Sequence, residues 1–118
     1  METIEEEFKQ ITADIVNQAI TCARQTDKWR KPYAAIVDAE GNREFIRSVG
    51  QRRTALEAED IREREALLTT VSSLPVGYRV ETRDRRDCSH KTEYRDSWTR
   101  TADGWKHERI EGSNRHGC

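Results

Sequence analysis

The run Tyr94-Arg95-Asp96-Ser97-Trp98-Thr99-Arg100-Thr101-Ala102-Asp103-Gly104-Trp105-Lys106-His107-Glu108-Arg109-Ile110-Glu111 constrains the fold more than any other part of the chain. Large and polar residues alternate with a period of two on both sides of Ala102-Asp103-Gly104. That spacing predicts two antiparallel strands joined by a tight turn. Thr92, Tyr94, Asp96, Trp98 and Arg100 share one face of the first strand, and Trp105, His107 and Arg109 share one face of the second. A two-residue Asp-Gly turn would place Trp98 and Trp105 on the same face of the hairpin. A three-residue loop with Gly104 left-handed would separate them.

Upstream, the period lengthens to that of a helix. Ile4, Phe8, Ile11, Ile15, Ala19 and Cys22 recur at three- and four-residue steps, and Val16, Ile20 and Ala23 widen the stripe. This predicts an amphipathic helix from Ile4 to Gln25, opened by a Thr3/Glu6 capping box. After a polar connector, Tyr33–Val37 and Arg43–Val49 flank Asp38-Ala39-Glu40-Gly41-Asn42 and read as a hairpin, although the second arm also tolerates helix. A second helix is expected over Ala55–Ser72, with Thr54 and Glu57 as capping box and Pro75 as its stop. Ile61, Leu68 and Val71 are expected to face one way, with Leu67 and Leu74 beside them. From Gly77 a strand places Tyr78, Val80 and Thr82 on one face and Arg79, Glu81 and Arg83 on the other.

The order is therefore helix, hairpin, helix and antiparallel meander, an α+β fold in one domain over residues 1–112, with 113–118 read as a flexible tail. Charged residues make up 36% of the chain and hydrophobic ones 34%, so the core must be thin and a partner subunit could complete it. The net charge of -1, with acids and bases interspersed, argues against nucleic-acid binding. No apolar run approaches the roughly 20 residues of a membrane span. The acidic N-terminus does not resemble a secretion signal, and the odd set Cys22, Cys88 and Cys118 reads as reduced thiols in a cytoplasmic protein.

The Tyr94–Lys106 segment resembles the SnoaL-like and ketosteroid isomerase-like (nuclear transport factor-like) superfamily. Its last strands often carry an Arg-Asp-x-Trp element and then Thr-x-Asp-Gly-Trp-Lys. The resemblance implies a curved antiparallel sheet wrapped around the helices as a cone, an apolar pocket inside it, and a homodimer formed through the sheet. It implies a small apolar or carbonyl-bearing ligand and, for an enzyme, isomerase, dehydratase or cyclase chemistry by proton transfer with no cofactor. This chain departs from the pattern: only three strands fit after the second helix, and the family's acid–base pairs do not map onto it.

Three residue sets carry candidate chemistry. Asp96 could take a proton while His107 or Tyr94 polarises a carbonyl, because abstraction beside a carbonyl needs a base and an electrophile whose pKa values are driven apart. Trp98, Trp105, Arg109 and Tyr78 are the candidate ligand-binding residues. The ordinary alternative is that Asp96 pairs with an arginine across the sheet and the tryptophans fill the core. Cys88-x-His90 and His116-x-Cys118 hold zinc-ligand types, but not at a structural-site spacing, so no metal is assigned. The competing functional reading is a non-catalytic interaction or regulatory domain that uses its sheet face.

Overall fold

The computed structural model describes residues 4–24, 33–46, 57–87 and 92–113. Their order is helix α1 (Ile4–Arg24), strands β1 (Tyr33–Val37) and β2 (Arg43–Phe45), helix α2 (Glu57–Ser72), then strands β3 (Arg79–Asp87), β4 (Thr92–Arg100) and β5 (Trp105–Ser113). The strands form one antiparallel five-stranded sheet in the order β2-β1-β3-β4-β5. This is the α+β arrangement that the sequence periods predict, with the sheet open rather than closed. The capping threonines Thr3 and Thr54, the connector holding Trp29, and the Cys88–His90 and His116–Cys118 pairs lie outside the described residues, as does most of the expected tail.

α1 docks on the sheet through the wide part of its stripe. Ile15, Val16, Ala19, Ile20 and Cys22 are buried against Ala34 of β1, Val80 of β3 and Trp98 of β4. Each buried aliphatic side chain contributes about 1.5–3 kcal/mol, which is how a thin core still holds the layers together. α2 packs on α1, and its seam differs from the expected one. Val71 is buried with Leu67 and Leu74 against it, whereas Ile61 and Leu68 are exposed. Steps of four and three residues from Leu67 define this face, which packs chiefly on α1.

The first hairpin turns at Asp38, whose carboxylate accepts from the backbone N–H groups of Glu40 and Asn42 and from the Asn42 amide. Those bonds hold its pKa below the ordinary value. Gly41 takes a left-handed φ of 90° there, which an alanine would adopt only with strain. The second arm is strand rather than helix, pairing Ala35 with Phe45 and Val37 with Arg43.

In the last hairpin Arg100 pairs with Trp105 and Trp98 with His107. The Thr101 N–H donates to the Gly104 carbonyl at 2.9 Å, and the Gly104 N–H donates to Thr101 Oγ1 at 3.0 Å. Ala102 and Asp103 therefore form the tip, one residue earlier than an Asp103-Gly104 turn, and Gly104 is not left-handed. The shift preserves the alternation, so Trp98 and Trp105 lie on the same face of the sheet, beneath α1.

A candidate binding cleft around a buried aspartate

The register decides the site. Thr82 of β3, Asp96 of β4 and Arg109 of β5 stand side by side on the inner face. Asp96 is 1% exposed, a carboxylate in a place where burial alone would push its pKa up. Its environment more than compensates. Arg109 grips it with both arms of the guanidinium, Nε to Oδ1 at 2.8 Å and Nη2 to Oδ2 at 3.2 Å. His107 Nε2 meets Oδ1 at 2.7 Å, and the Gln18 amide donates to Oδ2 at 2.7 Å. These donors and the Arg109 charge hold the Asp96 pKa below its ordinary value of 3.8.

Gln18 ties the two layers. Its Nε2 also donates to Thr82 Oγ1 at 3.0 Å, so one amide of α1 bridges two strands. Sequence reasoning missed it, yet a signal was present. Ile11, Ile15, Gln18 and Cys22 follow steps of four, three and four, so Gln18 is a polar residue placed in the apolar stripe. Such a position is occupied at low energetic cost only when the side chain finds a partner across the interface.

Beside this pair a cleft of about 310 Å³ opens between α1 and the sheet. Asp14, Asn17, Gln18 and Thr21 form one wall, and Asp84, Tyr94, Asp96 and Arg109 the other, with Cys22 between them. The lining side chains are mostly polar, unlike the apolar cone that the resemblance implies. The α1 residues that face it are Asp14, Asn17, Gln18 and Thr21, with Cys22 from the helix's apolar stripe. The Arg109 guanidinium lies 5.3 Å from the Tyr94 ring centre, a cation–π contact that extends the floor.

The sequence-predicted residues divide accordingly. Tyr94, Asp96 and Arg109 line the cleft together. Trp98 is a core residue, 7% exposed, with His107 stacked on it at 4.7 Å. His107 therefore reaches Asp96 from the side and does not line the cleft. Because an ionised carboxylate can only accept, His107 Nε2 carries the proton, and Nδ1 has no hydrogen-bond partner among the described residues. Trp105 stacks on Phe8 at 5.9 Å and donates its indole N–H to Thr12 Oγ1 at 3.0 Å. It borders a separate, smaller depression of about 160 Å³ with Glu7, Phe8 and Ile11. Tyr78 is half-buried immediately before β3, its backbone bonded to Pro75 and Arg100, and borders neither cleft.

Chemically, Asp96 is saturated. Each oxygen accepts two hydrogen bonds, and its lowered pKa makes it a poor proton acceptor. It holds Arg109 and His107 in place, which is the ion-paired alternative to the base expected from sequence. The chain matches no family model, and neither a curated protein nor a solved structure is significantly similar to it. No described helix is long and apolar enough to cross a membrane.

Proposed function

We propose that this chain is a small-molecule-binding domain of the SnoaL-like type, whose ligand enters the cleft between α1 and the sheet and meets Tyr94 and Arg109. The observation that carries the reading is the buried Asp96, gripped by Arg109 and bridged to α1 by Gln18, which gives the cleft a rigid, hydrogen-bonding floor. A preorganised floor favours a bound ligand because little side-chain entropy remains to be lost. Among the described residues the lining carries Asp14, Asp84 and Asp96 against the cation Arg109, already engaged with Asp96. An anionic ligand would meet net negative charge there. A neutral molecule bearing carbonyl and hydroxyl groups, or an ammonium compound, fits better than an apolar one.

The reading favours binding over turnover. The floor carboxylate is saturated, and His107, whose Nδ1 has no hydrogen-bond partner among the described residues, lies against Trp98 rather than in the cleft. A cofactor-free isomerase, dehydratase or cyclase would need a ligand that reaches past Arg109 to His107. On the same reading the protein works in the cytoplasm.

The test is a nuclear magnetic resonance titration with a library of neutral carbonyl and hydroxyl fragments, read on backbone amides. Fragments that bind should shift Gln18, Thr21, Tyr94 and Arg109, and Thr21→Trp, which fills the cleft from an exposed helix position, should abolish those shifts. Fragments that bind elsewhere, or that bind Thr21→Trp equally well, would refute the proposal.

A further inference from the structure

The polar groups on the α1 wall of the cleft are held in fixed orientations, and these decide what a ligand must bring. An ionised carboxylate only accepts hydrogen bonds and a guanidinium only donates them, so each dictates which end of an amide it meets. Gln18 therefore turns Nε2 to the floor, donating to Asp96 Oδ2 at 2.7 Å and to Thr82 Oγ1 at 3.0 Å. Both hydrogens of that nitrogen are spent. The amide is planar, so Oε1 points away from those two partners. It has no hydrogen-bond partner among the described residues and stays open to the cleft that Gln18 lines.

Its neighbours on the wall repeat the pattern. Thr21 donates its hydroxyl hydrogen to the Asn17 carbonyl at 2.8 Å, so Oγ1 is left to accept. Asp14 Oδ1 accepts from Gln10 at 3.3 Å, and Oδ2 has no hydrogen-bond partner among the described residues. Asp14, Gln18 and Thr21 follow steps of four and three, so these acceptors form one row on the helix, about 6 and 4.5 Å apart along its axis. Asn17 differs. Its Oδ1 accepts from Arg64, which leaves Nδ2 as a donor beside the row.

We infer that the cleft takes a neutral polyhydroxyl molecule, a polyol or a sugar, which donates hydroxyl hydrogens to Gln18 Oε1 and to the acceptors on either side of it. This ligand class rests on the binding cleft proposed above and narrows it. A molecule whose polar groups are carbonyls would set oxygen against oxygen along the row, and each acceptor would lose its water without replacement. An ammonium could donate to the row but could accept nothing from Asn17 Nδ2, and the charge of the exposed Asp14 is screened by solvent. A hydroxyl does both. The volume of about 310 Å³ is at the small end of ligand pockets, which suits a single ring. Gln18 is then the specificity-determining residue, because Asp96 and Thr82, by holding its nitrogen, choose which end of the amide the ligand meets.

The test compares cyclohexanol, cyclohexanone, cyclohexylammonium and inositol, four probes on one ring skeleton, by nuclear magnetic resonance titration of the full chain. Cyclohexanol should shift the Gln18 and Thr21 amides and bind about tenfold more tightly than cyclohexanone, the effect of one acceptor left unpaired. Inositol should bind more tightly still. Gln18→Met keeps the length of the side chain and removes Oε1; it should bring the alcohol down to the affinity of the ketone and leave the ketone unchanged. Thr21→Val removes Oγ1 at an exposed position where the fold is not at stake, and should weaken inositol several-fold, so the inference stays testable if Gln18→Met unfolds. It is overturned, with the binding cleft left standing, if the ketone or the ammonium binds there as tightly as the alcohol, if inositol gains nothing over cyclohexanol, or if neither substitution changes the preference. If no probe shifts these amides, the binding cleft fails and the inference fails with it.

Discussion

Replacing Asp96 by Asn removes one charge from the centre of the site while keeping its shape. The asparagine Oδ1 can still accept from His107 and from Arg109 Nε, now as a neutral acceptor. Its Nδ2 must face the donors that met Oδ2, Gln18 Nε2 at 2.7 Å and Arg109 Nη2 at 3.2 Å. Gln18 can rotate its amide and accept instead, with the Thr82 hydroxyl reversing to donate. Arg109 has no such remedy, but its side chain is 42% exposed and recovers water. The net loss is then about one charge-assisted hydrogen bond plus the weakening of another, about 2 kcal/mol. That is less than the roughly 3–5 kcal/mol of breaking a fully buried pair, because the orphaned cation is not buried. Two-state thermal unfolding should show a midpoint about 10 °C lower at pH 7. The pH dependence follows from the sign of the shift. The folded-state pKa of Asp96 is depressed, so its stabilisation is present above the ordinary carboxylate value of 3.8 and is lost as pH falls through the folded value. The gap between the wild-type chain and Asp96→Asn should therefore close below pH about 4. A variant within about 0.5 kcal/mol of wild type at pH 7, or a gap that stays constant down to pH about 2, would refute the account of Asp96 as an ionised anchor.

Two further substitutions probe separate links in the fold. Trp105→Phe keeps the stacking surface against Phe8 but removes the N–H donated to the buried Thr12 hydroxyl; urea unfolding should report a loss of about 1 kcal/mol with an unchanged m-value. Gly41→Ala meets no atom within 4 Å of the added Cβ, so any loss comes from the left-handed φ alone, about 1 kcal/mol in the same assay.

Much of the architecture is legible in the chain because hydrophobic periodicity is a local property. The three- and four-residue steps from Ile11 to Cys22 specify α1, and the alternation from Arg79 to Thr82 and from Tyr94 to Ile110 specifies strands, whatever packs on them. The capping logic around Gly41 is local too, since Asp38 closes its own turn. Asp96, Tyr94, His107 and Arg109 could be named as a cluster for the same reason: alternation puts them on one face of one hairpin.

Their roles could not be read in the same way, because a role depends on partners distant in sequence. Gln18 lies 78 residues from Asp96, yet it supplies one of the four hydrogen bonds that make the carboxylate an anchor rather than a base. Ile61 and Leu68 look like core residues until α2 is seen to pack through Leu67, Val71 and Leu74. Local pattern alone determined which helices and strands form; tertiary packing decided which carboxylate is buried and what holds it, since burial and pairing are properties of surfaces brought together rather than of a segment.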